Sequence, residues 1–187
     1  MFASDLIKKY QEKYEVVLEE AKFFLDLENI FQDHNDLTLN FGYFRKFRTD
    51  TIEELKKNDY ASYVIKNHHI IALDLSRWEL REIPNSIGLL SKLEHVNLSG
   101  LALKKLPEST KYLKNLNFIN LNGNNLGEIP IWLNKFCIEN YSHKYIKEGI
   151  IPEDAAILSL LEILNGRELK KLDLKTDVKK WERALNY

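Results

Sequence analysis

LDLSRWELREIP, residues 73–84, runs apolar, polar, apolar over its first three positions, then sets a tryptophan within a leucine and isoleucine spacing that ends in proline. Alone, it could be an isolated strand entering a loop. Its skeleton, however, returns as VNLSGLALKKLP at 96–107 and INLNGNNLGEIP at 119–130. Leu75, Leu98 and Leu121 recur at one constant step, and Pro84, Pro107 and Pro130 keep the same step. Ile70, Leu93 and Leu116 open the units on that beat, and Leu80, Leu103 and Leu126 follow the second strand leucine of each unit at a common distance. Self-similarity at a fixed period of this length is the signature of stacked units, none of which can bury its apolar face alone.

Each unit can be read physically. Ala72, Leu73, Asp74, Leu75 and Ser76 alternate with period two, which turns the leucines to one side of a short strand and small or polar groups to the other. Stacking pairs such strands in parallel, and the leucines of neighbouring units fill one continuous core. The proline fixes φ at about −65° and donates no hydrogen bond, which suits an extended or turning segment on the far side rather than a second sheet.

The units resemble leucine-rich repeats of the Leu-Pro/Ile-Pro kind, with consensus L-x-x-L-x-L-x-x-N-x-L-x-x-[LI]-P, over three units from residue 70 to about 136. The resemblance implies an α/β chain: a short leucine-rich-repeat solenoid with parallel strands on its concave side, a helical N-terminal extension and a helical C-terminal cap. Repeats of this kind recur in Ras-linked and Scribble-like scaffolds and in stand-alone prokaryotic proteins. It therefore implies a protein partner, a small GTPase or another signalling protein among them. The family's asparagine, which satisfies backbone groups between adjacent turns, is matched here by Trp78, Leu101 and Asn124. The first two turns are expected to deviate locally, with Trp78 turned against a flanking element.

The flanks divide the chain into a helical extension over 1–59, a hairpin cap plus repeats over 60–150, and a C-terminal capping helix and tail over 151–187. Within 60–73 a strand, a turn at Lys66 to His69 and the first repeat strand form the hairpin. His68 and His69 are assigned to that turn rather than to a metal, because neighbours on a strand point to opposite faces and no Cys, Asp or Glu cluster accompanies them. From Ser4 to Phe31, Ile7, Tyr10, Tyr14, Val17, Ala21, Phe24 and Phe31 recur at helical spacing, with Glu28 as the interruption. Such a helix would be roughly 40 Å long at about 1.5 Å per residue, against ~15–20 Å for three or four stacked strands. It must kink, fold back on a second helix near 51–58, or overhang and offer its aromatics to a second copy of the chain in a homodimer. IPEDAAILSLLEILNG at 151–166 carries a proline near a first helical position, early acids and a closing glycine, and reads as the amphipathic cap.

Composition excludes several functions. A net charge of −1 excludes a strongly basic nucleic-acid binder, although nine acids face four lysines over 1–36 and seven bases face four acids over 167–183. NFGYFRKFR at 40–48 interleaves aromatics with bases, but the acids at Asp50, Glu53 and Glu54 dilute it and its order differs from an RNA-recognition strand; no nucleic acid is expected. A single cysteine, Cys137, fits a reducing compartment. With no secretory leader and no run of about 18 apolar residues, the reading is cytoplasmic with no membrane partner. Some bacterial leucine-rich-repeat proteins carry a cysteine-dependent ubiquitin-ligase domain, but Cys137 stands alone, and neither a phosphate loop nor an informative Ser/His/Asp spacing occurs. No cofactor, no metal and no catalysis are expected.

What remains is the outward face of the strands: Ala72, Asp74 and Ser76, then His95, Asn97 and Ser99, then Phe118, Asn120 and Asn122. A polar, mostly uncharged face suits a protein partner better than an anionic polymer. Three strands about 15 Å wide give only a few hundred Å², short of the roughly 800 Å² per partner of a stable complex. Arg77 and Trp78 are therefore expected to extend the site, with Trp78 as an aromatic anchor. The expected function is a non-catalytic adaptor or scaffold. The alternatives are a dedicated inhibitor or immunity protein of one enzyme, and self-assembly through the N-terminal helix.

Overall fold

The computed structural model describes residues 3–33, 48–57, 61–76, 78, 80–127, 130 and 132–133. The protein is mixed α/β, built on a five-stranded, mostly parallel sheet of order β1-β2-β3-β4-β5. The strands are β1 Arg48–Thr49, β2 Ser62–Lys66, β3 His69–Asp74, β4 His95–Asn97 and β5 Phe118–Asn120, and the helices are α1 Ala3–Tyr14, α2 Leu18–Asp33 and α3 Ile52–Lys57. β2 and β3 form an antiparallel hairpin, while β1 with β2, β3 with β4 and β4 with β5 are parallel. The hairpin turn is closed by Asn67 and His68 at φ 50° and 63°, the left-handed pair that a two-residue connection requires.

The recurrence governs the second half of the sheet. Ala72 pairs with His95 and His95 with Phe118, Leu73 with Val96 and Val96 with Ile119, Asp74 with Asn97 and Asn97 with Asn120. Equivalent positions are thus hydrogen-bonded neighbours. Leu73, Leu75, Val96, Leu98, Ile119 and Leu121 are buried in one core with Ile70, Leu93 and Leu116. After each of β3 and β4 the chain reaches a proline at extended φ/ψ, Pro84 at −65°/145° and Pro107 at −58°/140°, which precedes a short 3-10 turn, Asn85–Leu89 and Glu108–Tyr112. Ile87, Thr110 and Leu133, again equivalent positions, donate their N–H groups to the carbonyls of Pro84, Pro107 and Pro130.

These 3-10 turns stack so closely that a Cβ added at Gly88 would lie 2.6 Å from both the Cβ and the carbonyl oxygen of Ser109. Because one obstacle is backbone, no rotamer change relieves it. Gly88→Ala is expected to lose about 1–3 kcal/mol through overpacking, read as a lower urea midpoint at unchanged slope; an unshifted midpoint would refute this close approach.

The N-terminal signal is two helices rather than one. Glu15 adopts φ 57°, and the N–H of Val17 donates to the carbonyl of His68 at 2.9 Å instead of continuing a helical ladder. The helices fold into a hairpin in which Tyr14 stacks on Phe24 with ring centroids 3.9 Å apart, and both meet Tyr63 of β2 edge-on. Of the aromatics that an overhanging helix would have exposed, Tyr10, Tyr14 and Phe24 belong to the main core, joined there by Phe23, and the side chain of Phe31 lies outside the described residues. Buried Glu20, in the first turn of α2, ties the helices to the hairpin. It accepts the N–H of Ile70 at 2.8 Å and faces Nδ1 of His69 at 2.9 Å. Burial raises its pKa against these bonds. His68 Nδ1 lies 3.0 Å from the carbonyl of Glu15, so both histidines serve the junction between turn and helices.

The short helix expected near 51–58 exists as α3, and it packs on the sheet through β2 and β3. Tyr63 and Val64 alternate across the sheet; Tyr63 faces Tyr14 and Phe24, whereas Val64 forms a separate cluster with Leu55 of α3 and Ala72. α3 thus covers the face opposite the main core. Among the described residues, no helix is long and apolar enough to cross a membrane. Cys137, the segment 40–47 and the capping segment 151–166 lie outside the described residues.

Candidate protein-binding surface

The face of β3–β5 turned away from the main core carries the row Ala72, His95, Phe118 and the row Asp74, Asn97, Asn120, with Ser76, Ser99 and Asn122 just beyond the strands. The nine outward positions read from the sequence do share one face. Their availability differs from unit to unit.

Ala72 is fully buried beneath Leu55 of α3, and Asp74 and His95 are also buried. Asn97, Ser99, Phe118, Asn120, Asn122 and Ser76 are partly exposed. The face is therefore open at Ser76 and over most of the second and third units, but closed at Ala72, where α3 lies over it, and at Asp74 and His95.

Each polar row has an internal role. Oδ1 of Asp74 accepts the N–H and the hydroxyl of Ser76 at 2.9 and 2.7 Å, and its Oδ2 accepts Nδ2 of Asn97 at 2.9 Å. Oδ1 of Asn97 accepts the N–H and hydroxyl of Ser99 at 3.2 and 2.8 Å. Oδ1 of Asn120 accepts the N–H of Asn122 at 3.0 Å. These are turns closed by a side chain two residues back, and they end the strands at matching positions. The acceptors of this row are thus engaged within the chain, by backbone N–H groups and by the side chains of Ser76, Asn97 and Ser99.

Beside that row the imidazole of His95 lies flat against the ring of Phe118, with centroids 4.1 Å apart and planes 4° apart. Burial first, then the cation of Lys56 on α3, push the His95 pKa down to about 4, against the opposing pull of Asp74. The ring is neutral at pH 7, so this stack is an apolar ledge continuous with the α3 contact.

Trp78 does not extend the surface. It is 9% exposed and belongs to the main core, with its N–H bonded to the carbonyl of Leu75 at 3.0 Å. Trp78 is buried in a core that the repeat leucines share with Phe23, Phe24 and Leu27 of α2. Leu101, the equivalent position of the next unit, is fully buried in the same core. Asn124 at the third position bonds instead to three backbone groups: Nδ2 donates to the carbonyls of Leu98 and Leu121 at 2.7 and 2.9 Å, and Oδ1 accepts the N–H of Leu103 at 3.0 Å. Arg77 lies outside the described residues.

The sequence reading missed the role of α3 and of Lys56. The signal was present in Ile52 and Leu55, three apart and flanked by charges, but it fixed a helix and not the face on which it lands. Among the described residues no group of three or more His, Cys, Asp or Glu side chains could hold a metal ion. Comparison with protein-family models, with curated proteins and with solved structures found no match to this chain.

Proposed function

We propose that the chain is a leucine-rich-repeat protein whose units form a short solenoid, and that it acts as a non-catalytic adaptor or scaffold. It would bind a protein partner through the exposed part of the β3–β5 face. The observation that supports this most directly is the register in which Ala72, His95 and Phe118, equivalent residues of successive units, are neighbours across the strands, since such stacking leaves one face regular and free of main-core duty. Phe118 supplies an aromatic contact on that face, and Asn97, Asn120 and Asn122 stand beside it as polar groups, the arrangement of a small hot spot with a polar rim. The exposed part is smaller still than three full strands, so a partner would also touch the edge of α3 at Lys56.

The test is affinity capture from the native cell with the full chain, comparing wild type with Phe118→Ala and with Asn120→Ala/Asn122→Ala. Each variant is expected to lose at least about tenfold in partner affinity, the scale of a residue worth over about 1 kcal/mol in an interface, at unchanged folding. Equal capture by all three would refute the siting, and turnover of a substrate would refute the non-catalytic reading. Trp78→Ala is unsuitable, because removing a core tryptophan would confound binding with stability.

The inhibitor reading shares this surface and differs in affinity: one obligate partner held at nanomolar strength supports inhibition, several weak partners support an adaptor. Self-assembly through the N-terminal helix would have to proceed without Tyr10, Tyr14, Phe23 and Phe24, which are buried within the chain, and sedimentation of the full chain against a version starting near Asp36 tests it.

A further inference from the structure

We propose that α3 is a detachable strap over the first unit of the sheet face, able to open while the main core stays folded, and that a proton taken up by His95, the cross-strand neighbour of the Ala72 it covers, drives the opening. The attachment is slight. Of the residues of α3 only Leu55 is buried, and it seats against Val64 and Ala72 in a cluster separate from the main core, with Ile52 and Ile71 partly buried at its edge. α2, by contrast, enters the main core through Ala21, Phe23, Phe24 and Leu27. Segments with few buried apolar contacts open first, as cooperative local units.

α3 also carries its own local order. The N–H of Glu54 donates to Oγ1 of Thr51 at 3.1 Å, and Oε2 of Glu54 accepts the N–H of Asp50 at 3.1 Å. These are reciprocal bonds of the capping-box kind. None of these bonds ties the segment to the sheet, and a six-residue helix released from its packing does not persist in water, so detachment exposes its amides to exchange.

The ring beside that contact supplies the trigger. His95 is 6% exposed and held flat against Phe118. Among the described residues the charged groups that act on it are Lys56 from α3 and Asp74 from β3. The Asp74 carboxylate is already engaged by Ser76 and Asn97, so an arriving proton gains little from it, while it meets both desolvation and the strap's own cation. The pKa of His95 is lowered from 6.5 to about 4 when the strap is closed. A histidine whose pKa is depressed in the closed state favours that state fully above 6.5, and the preference is lost as pH falls toward 4, because opening restores water to the ring. The consequence for partner binding rests on the reading of this face as a protein-binding surface: opening would add Ala72 and His95 to it. The opening itself is tested without any partner.

The experiment is amide hydrogen exchange on the full chain, corrected for intrinsic rates, at pH 7 in low urea and again at about pH 4.5. At pH 7 the amides of Leu55 and Lys56 are expected to exchange through an opening with a weaker urea dependence than those of Val96 and Leu98; identical urea dependence would overturn the strap. Between pH 7 and about pH 4.5 the strap's opening equilibrium should rise by at least about tenfold with Val96 and Leu98 still protected. That rise should vanish in His95→Phe, which keeps the stacked ring but not the titration, and should shrink in Lys56→Gln. An undiminished rise in both variants would overturn His95 as the trigger. Failure to capture any partner would leave these outcomes intact and count only against the proposed function.

Discussion

Phe24→Ala is expected to be among the most damaging single substitutions in the chain, lowering stability by about 3–5 kcal/mol, the range for truncating a buried aromatic. The side chain is fully buried, and among the described residues its ring lies stacked on Tyr14 and edge-on to both Phe23 and Tyr63. One truncation therefore removes contacts that join α1, α2 and β2. The cavity cannot close locally, since these rings are held by three different elements. Chemical denaturation followed by circular dichroism reads the loss directly, and Phe24→Leu should recover part of it by refilling volume. A loss below about 1 kcal/mol, typical of an ordinary site, would mean that the helical hairpin does not clamp the sheet through this ring.

Asn124→Ala is expected to cost about 2–3 kcal/mol despite removing a partly exposed side chain, because each buried polar group left unpaired costs about 1–3 kcal/mol. The change strands one N–H and two carbonyls, those of Leu103, Leu98 and Leu121. Water can reach part of the site, which keeps the total below three such penalties. Asn124→Asp sharpens the test. Its carboxylate could still accept from Leu103 but would oppose two carbonyl oxygens, so the variant should be less stable at neutral pH and recover in acid as the carboxylate takes a proton. Equal stability of Asn124→Ala and wild type would show that the third unit, like the first two, does not depend on an asparagine there.

The units at Trp78 and Leu101 explain why that comparison matters. Both place a large apolar side chain in the core where the third unit places an amide. The sequence made the substitution visible and predicted local deviation, yet it could not say whether tryptophan would enter the core or leave it. That depends on the space left by neighbouring units and by the helices behind them. Gly88 is a similar case: nothing in its sequence context separates it from any loop glycine, and only its approach to Ser109 in the next unit makes it necessary.

The N-terminal helices show how a periodic signal misleads in one direction. The spacing of Tyr10, Tyr14, Ala21 and Phe24 is preserved across the break at Glu15 because both helices turn the same stripe to the same core. Periodicity reports much of the buried stripe, but the fold into two helices changes the set: Val16, Phe23 and Leu27 are buried, whereas Val17 is only half-buried. The break is decided by the bond from Val17 to His68 and by the stacking of Tyr14 on Phe24, both of which need the tertiary structure before they exist.

The sequence by itself determined the sheet's second half. A constant-step recurrence of aliphatic residues and prolines specifies which positions become hydrogen-bonded neighbours, since equivalent residues in stacked units experience the same environment, and it placed the outward residues on one face. Only the tertiary structure decided how much of that face is open. α3 lies far from the repeats in pattern but lands on Ala72 and beside His95, and the landing depends on long-range packing of a single leucine, which leaves no period in the chain for a reader to find.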